Sequence, residues 1–377
     1  MRIAHFLPHY PGRDGSAAFC RGLSRALNRQ EPGSCPIITL RPGCAQAGPD
    51  EELLHYPHTA RTHPFDLPSA LREDLVSNRH GLDGVVLHGT FNPPMATLGK
   101  WLRKIDLPYL FIPHDPYVPA LMSHKRRRKA VYWKCFEKPL IEGAVAVQLL
   151  DESHEAPLRA RGVRNRTVVI PNGCEVSMAD ELPPDAKIPG SNPDEIRILY
   201  FGRMDAHHKG LDLLIGGFDQ ALRAAPDARL TLVMTGNDWT DRSALENQAQ
   251  RLGIRDKVHF TGRRPETAME IVAEADLVIL PSRFDGFGLC IVEAMLAGRP
   301  VIVSEAAGVA GQVEQSGGGW TTRPDAESIA ATLLDAVAER SRWQEMGDAN
   351  RRHVLNHLTW DQIAAKTRGI YQELFAS

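Results

Sequence analysis

The stretch Leu280–Ser304, LPSRFDGFGLCIVEAMLAGRPVIVS, decides how this 377-residue chain is read. A strand ends at Leu280, a glycine-containing loop covers Asp285–Gly288, and a helix is expected over Leu289–Ala297, stopping at Gly298 ahead of Pro300. Strand, small-residue turn and helix form the repeating unit of parallel α/β sheets, which bind ligands at the carboxyl ends of their strands. Small residues at such a turn let a ligand approach the backbone. The helix start offers the N–H groups of Phe287, Gly288 and Leu289 to an anion such as a phosphate. Glu293 lies among Cys290, Ile291, Val292, Ala294, Met295 and Leu296. A carboxylate there is costly unless hydrogen-bonded, and sugar hydroxyls are suitable donors; the residue also reads as a helix-capping or domain-packing glutamate.

The same rhythm extends in both directions. Apolar, β-branched runs predict strands at Arg2–Leu7, Pro36–Leu40, Gly84–Leu87, Tyr109–Ile112, Ala144–Gln148 and Thr167–Ile170, with a helix over Ser16–Asn28 capped by Ser16. Leu182–Glu195, LPPDAKIPGSNPDE, has no apolar period and reads as a linker. Strands resume at Ile196–Tyr200, Arg229–Met234, Val258–Phe260, Leu277–Leu280 and Val301–Val303. Two doubly wound α/β domains are therefore expected, over 1–187 and 188–359. Trp360–Leu374 has helical apolar spacing and must pack on one of them.

A second cluster lies in Phe201–Leu214, FGRMDAHHKGLDLL, where a strand runs into a loop carrying Arg203 and Lys209. Two cations at a strand's carboxyl end suit a diphosphate, the arginine as a planar fork and the lysine as a point charge. They also read as two solvated surface cations. The one dense basic run, Lys125, Arg126, Arg127, Arg128 and Lys129, precedes Val131, Tyr132, Trp133 and Phe136. That mixture suits an anionic membrane surface or a lipid-diphosphate acceptor, and equally a solvated helix face.

Composition bounds these readings. Forty-four Lys+Arg against 46 Asp+Glu give a net charge of −2, which excludes a globally basic nucleic-acid binder. No apolar run reaches the roughly 18–20 residues that cross a bilayer, and His and Pro interrupt the opening MRIAHFLPHYPGRDG. The chain reads as cytoplasmic. Its six cysteines are scattered, without C-x-x-C or paired His spacing, so neither a metal site nor a resident cofactor is expected.

Ser282, Asp285-Gly286-Phe287-Gly288-Leu289, Glu293-Ala294, Gly298 and Pro300-Val301-Ile302 together resemble the signature of the retaining glycosyltransferases of family 4, in which two acidic residues stand eight positions apart. Gly202-Arg203, Lys209-Gly210, Phe260-Thr261-Gly262, Pro171-Asn172-Gly173 and Pro113-His114-Asp115 extend the likeness over nearly the whole chain. The resemblance implies the GT-B fold, two Rossmann-like domains facing a cleft, with residues 360–377 returning to complete the first. It implies retaining transfer from a nucleotide sugar, a UDP-sugar ahead of a GDP-sugar, to a glycan or lipid-linked acceptor in surface polysaccharide or glycolipid synthesis. By the same resemblance Glu293 binds the donor ribose, Asp285 faces the sugar ring and His114 hydrogen-bonds the transferred sugar. Arg203, Lys209, Gly15 and the helix start at Phe287–Leu289 hold the diphosphate, and Gly262 and Arg263 lie on the nucleobase side. No D-x-D occurs, which fits charge stabilisation without a metal.

Two positions depart from the family. Asp285 stands where a glutamate is usual, retracting the carboxylate by about 1.5 Å. Asp14-Gly15-Ser16 replaces a common Gly-Gly pair. The alternatives are a catalytically silent sugar-nucleotide-binding partner, for which Asp285 is the motive, and an epimerase or phosphorylase on the same two-domain plan.

Overall fold

A computed structural model describes residues 1–12, 15–41, 48–58, 63–115, 117–123, 125–183, 195–237 and 241–376. The chain forms two compact units, Met1–Gly173 with Trp360–Ser377, and Cys174–Thr359. Most of the expected linker, and Asp14, lie outside the described residues. The expected boundary at 187/188 falls in that stretch, whereas the units divide at Gly173. Cys174 already belongs to the second unit because its N–H donates to the Leu358 carbonyl (2.8 Å) and it bridges Thr359 in parallel register.

In the first unit seven strands, β1 (Ile3–Phe6), β2 (Ile37–Thr39), β3 (Leu53–His55), β4 (Gly84–His88), β5 (Tyr109–Ile112), β6 (Ala146–Leu149) and β7 (Thr167–Val169), form one sheet in the order 3-2-1-4-5-6-7. Every pairing is parallel. Helices cover both faces of such a sheet, so the central strands IAHF, GVVLH, YLFI and AVQL are buried along their whole length. The first helix spans Gly15–Gln30, which places Ser16 inside its first turn and not at the expected cap.

The terminal helix Trp360–Phe375 packs on that first helix. A Cβ on Gly22 would overlap the Trp360 indole, so only glycine admits the ring there. Phe19 meets the same indole edge-on at 5.7 Å, and Arg29 pairs with Asp361 at 3.0 Å.

The second unit repeats the plan with β8 (Ile196–Phe201), β9 (Leu230–Thr235), β10 (Val258–Gly262), β11 (Leu277–Leu280), β12 (Val301–Ser304) and β13 (Gly319–Thr322), in the order 10-9-8-11-12-13, again all parallel. These are the two doubly wound α/β domains expected. Two strands escaped the sequence reading, β3 and β13; both are short, mostly part-exposed, and lie at sheet edges.

Candidate active site

The carboxyl ends of β8, β9, β10 and β11 deliver the loops that carry the candidate residues of the second unit. Beyond β11, Ser282–Gly288 leads into the helix Leu289–Leu296, with Gly288 in the left-handed conformation (φ 103°) as its cap. The loop after β12 holds this turn in place: Asp285 N–H donates to the Ala306 carbonyl (3.2 Å), and Gly308 and Val309 N–H donate back to the carbonyls of Asp285 (3.3 Å) and Phe287 (2.8 Å).

Lys209 and Asp285, 76 positions apart, meet at 2.5 Å, both largely buried. Gly210 permits the meeting, since it takes φ 64° and a Cβ there would overlap the Pro281 carbonyl oxygen. Arg283 ties the two loops further, with a bidentate pair to Asp212 (2.7 and 2.6 Å) and a donation to the His207 carbonyl (3.0 Å). Burial pushes the Asp285 carboxyl up, but Lys209 beside it outweighs burial and holds it below the usual carboxylate range. Burial likewise disfavours the Lys209 ammonium, and Asp285 more than restores it. Ser282 Oγ donates to the same carboxylate oxygen (3.3 Å), and the nearby Phe287 N–H also favours the ionised Asp285. His208 stacks on Phe284 (4.2 Å between centroids, 13° between planes), and burial followed by Lys209 lowers its pKa to about 4.

Glu293 lies one turn into the helix. Its carboxyl is pushed up to about 7, by burial first and then by the nearby charge of Glu181. It therefore stands at the edge of ionisation near neutral pH. Arg203 is exposed at the end of β8, and its carbonyl accepts from Tyr200 Oη (2.6 Å). Gly262 ends β10 at φ 69° with its carbonyl accepting from Gly236 N–H (3.0 Å), and Arg263 beside it is exposed.

In the first unit His114 follows β5 with a positive φ of 64° and is buried. Its Nε2 lies 2.8 Å from Nδ1 of His88, whose Nε2 lies 2.9 Å from Nδ1 of His5. Tyr371 Oη of the terminal helix lies 3.3 Å from His5 Nε2. Phe19 meets the His114 ring edge-on at 5.2 Å. Gly15 opens the first helix, exposed, with nothing within 4 Å of where a Cβ would stand.

Residues 6–173 match the family model of the glycosyl transferase 4-like domain, and residues 195–339 that of glycosyl transferases group 1. The chain belongs to the family-4-like glycosyltransferases. An uncharacterized glycosyltransferase of Methanocaldococcus jannaschii is 30% identical over 185 residues, 48% of this chain and 46% of that protein. The chain spans about half the length, or less, of the first curated relatives it matches. Among solved structures, a sucrose-phosphate synthase from Thermosynechococcus elongatus superposes with a TM-score of 0.76 at 22% identity, covering 100% of this chain and 99% of that one. Anabaena HepE in complex with UDP and glucose gives 0.73 at 18%, covering 99% and 100%. The two units thus have the GT-B fold.

Within this family member the sequence-predicted residues of the second unit fall along one sheet edge, but not all in the state expected. Lys209 is engaged with Asp285 and not simply poised for a phosphate. Leu289, as the first helical residue, has no intrahelical acceptor for its N–H. The basic run also differs from its reading. Lys125, Arg126, Arg127 and Arg128 are exposed, whereas Lys129 turns inward, donating to the Leu121 carbonyl (2.5 Å) and lying over the Phe91 ring. Trp133 packs edge-on against Tyr117, and Val131 and Phe136 are the large exposed apolar side chains there among the described residues. No helix among the described residues is long and apolar enough to cross a membrane.

Several residues of the site were missed. Arg283 and Asp212 gave no local signal. His5 and His88 did, as single polar residues inside otherwise apolar strands. His5, Cys20 and His88 also bring potential metal-ligand atoms within 4.8 Å of one another, which no spacing in the sequence announced. Both nitrogens of each ring are already committed to the hydrogen bonds given above. Glu137, on a π-helical turn at Trp133–Glu137, is buried and accepts from Phe91 N–H (3.0 Å) and Tyr117 Oη (2.7 Å), with burial pushing its carboxyl up to about 7.

Proposed function

We propose that the chain is a retaining glycosyltransferase that moves a sugar from a nucleoside diphosphate, UDP ahead of GDP, to a glycan or lipid-linked acceptor in surface polysaccharide or glycolipid synthesis. The observation that carries this reading is the gathering of the Asp285–Lys209 pair, Glu293 and a helix start at the carboxyl edge of the second sheet, in a family member. The solved complex of HepE with UDP and glucose supports UDP as the first donor to try.

Departure of the diphosphate builds negative charge, which preorganised donors stabilise most when it develops. Arg203, the remaining Lys209 donors and the N–H groups of Gly288 and Leu289 meet that charge, so this reading calls for no resident metal. Glu293 accepts from the ribose hydroxyls. Asp285, kept ionised by Lys209, stands by the sugar ring, where an oxocarbenium-like transition state develops positive charge. Gly15 gives backbone access for the diphosphate, Gly262 and Arg263 take the nucleobase side, and His114 hydrogen-bonds the transferred sugar.

Glu293→Ala and Arg203→Ala each remove a charged hydrogen-bond partner, about 1.5–3 kcal/mol, and should lower transfer from a nucleotide sugar about 10- to 100-fold with the fold retained. Parent rates in both would end this assignment of the site. We also read the exposed cations Lys125, Arg126, Arg127 and Arg128, with Val131 and Phe136, as a contact with an anionic membrane at the cytoplasmic face, each cation contributing about 1 kcal/mol. Cosedimentation with phosphatidylserine vesicles should vanish when all four are neutralised; undiminished sedimentation would count against it.

A further inference from the structure

In the first unit the short helix Pro119–Ser123, the basic helix Arg126–Tyr132 and Arg161 border a cavity of about 490 Å³. That volume falls within the about 300–1,000 Å³ of small-molecule sites. Lys129 ties the two helices together, since its Nζ donates to the Leu121 carbonyl (2.5 Å). The walls are mostly apolar, from Pro119, Met122, Ala130 and Trp133, and the charged residues on them are two arginines, Arg126 and Arg161. No Asp or Glu among the described residues lines it.

Arg161 is held in place within this wall. It follows the helix Glu155–Ala160, is half-buried, donates from Nε to the Tyr117 carbonyl (2.9 Å) and lies over the Trp133 ring, 5.6 Å from its centroid. Those contacts fix the guanidinium plane and leave its two terminal nitrogens without a protein acceptor among the described residues. Arg126, exposed at the start of the basic helix, has no carboxylate partner among them either. Burial disfavours the Arg161 charge, and a second cation on the same cavity adds to that cost; an anion between them relieves both. A guanidinium fork takes two oxygens of a phosphate, which offers a third oxygen and a second charge to the other arginine. The apolar walls suit a hydrocarbon substituent on that phosphate, and Val131 on the same helix and Phe136 beyond it expose apolar surface to the outside.

We propose that this cavity binds a phosphate monoester carried on an apolar chain, the head of a membrane lipid, with Arg161 and Arg126 on the phosphate and Met122 and Trp133 against the chain. That the phosphate belongs to a lipid rests on the membrane contact proposed above; the phosphate site does not.

Calorimetric titration of the full chain with hexyl phosphate, below its micelle concentration, tests the site. The parent should bind it at least about tenfold more tightly than inorganic phosphate, the gain from burying two methylenes. Arg161→Gln and Arg126→Gln should each weaken hexyl phosphate about tenfold or more, the span of one charged hydrogen bond, and Arg126→Gln serves if Arg161→Gln does not fold. Arg128→Gln, exposed in the same run but not lining the cavity, should bind as the parent does. Parent affinity in Arg126→Gln or in folded Arg161→Gln overturns the proposal, as does equal binding of the two phosphates. An equal loss in Arg128→Gln would also overturn it, by showing diffuse charge in place of a built site. Cosedimentation identifies the source of the phosphate: the parent should prefer phosphatidic acid vesicles to phosphatidylserine vesicles, and Arg161→Gln should lose the preference while still binding phosphatidylserine. Hexyl phosphate bound through the two arginines with no such preference would refute the lipid and leave a site for a soluble phosphate ester. Loss of all vesicle binding with that titration intact would refute the membrane contact alone.

Discussion

Replacing Glu293 with glutamine should stabilise the protein, and by more as the pH rises. The Glu293 carboxyl is held at about 7 against an ordinary 4.5, because burial and the Glu181 charge both disfavour its ionised form. Between those two values the folded chain keeps a proton that the unfolded chain has released. The parent therefore loses stability from about pH 4.5 up to about 7, and the loss is constant above that. A gap of about 2.5 units at 1.36 kcal/mol each corresponds to about 3 kcal/mol, and the partial exposure of the residue trims it to about 2–3 kcal/mol. Glutamine has no charge to lose, so parent and Glu293→Gln should agree near pH 4.5 and diverge to pH 8. For a unit of this size the difference corresponds to about 4–12 °C in Tm. Thermal unfolding of both chains from pH 4.5 to 8.5 measures it, the subtraction removing every other titrating group. A difference that stays flat with pH, or a variant less stable at pH 8, would refute the reasoning. The same carboxylate should make nucleotide-sugar affinity rise from pH 6 to 8 in the parent and not in the variant, which ties the stability lost at Glu293 to its use.

Lys209→Met strands a buried carboxylate and should cost about 3–5 kcal/mol, only partly offset by the donor from Ser282. Adding Asp285→Asn should recover at least about 1 kcal/mol of that in denaturant unfolding, and strict additivity would mean the pair is not coupled. Because the Asp285 pKa is depressed, the pair's contribution is present above about pH 4 and is lost as pH falls below it; the raised Lys209 pKa keeps it past about pH 10. Gly210→Ala should cost more than the about 1–2 kcal/mol of a left-handed alanine, since its Cβ also meets the Pro281 carbonyl. A variant as stable as the parent would show that the two loops do not need this close approach.

The strands that read clearly from sequence are those buried on both faces, because a continuous apolar run such as GVVLH or YLFI needs no partner to be recognised. β3 is three part-exposed residues, and the glycines ahead of Trp320 disguise β13 as a loop. Asp285, Lys209 and Glu293 each stood out by residue type and place. That Lys209 and Asp285 meet did not, because the contact depends on β8 and β11 being neighbours, a property of strand order and not of either segment. The histidine row depends in the same way on β1, β4 and β5 lying side by side, and its tyrosine comes from a helix 366 positions beyond His5. Local sequence records which groups are unusual for their surroundings; which of them touch is decided by topology.

Trp360–Phe375 lies with the first unit, while Cys174 and Thr359 lie side by side within the second. In the order of synthesis, the second unit is complete before the first. Until its last residues leave the ribosome, the amino-terminal unit has an open groove at Gly22 where the indole belongs, and a histidine row whose far end lacks its hydroxyl. Of the two units, the one whose strands are made first therefore receives its closing helix last, and a chain stopped at Thr359 would lack Trp360 and Tyr371 but keep the segment that carries Asp285 and Glu293.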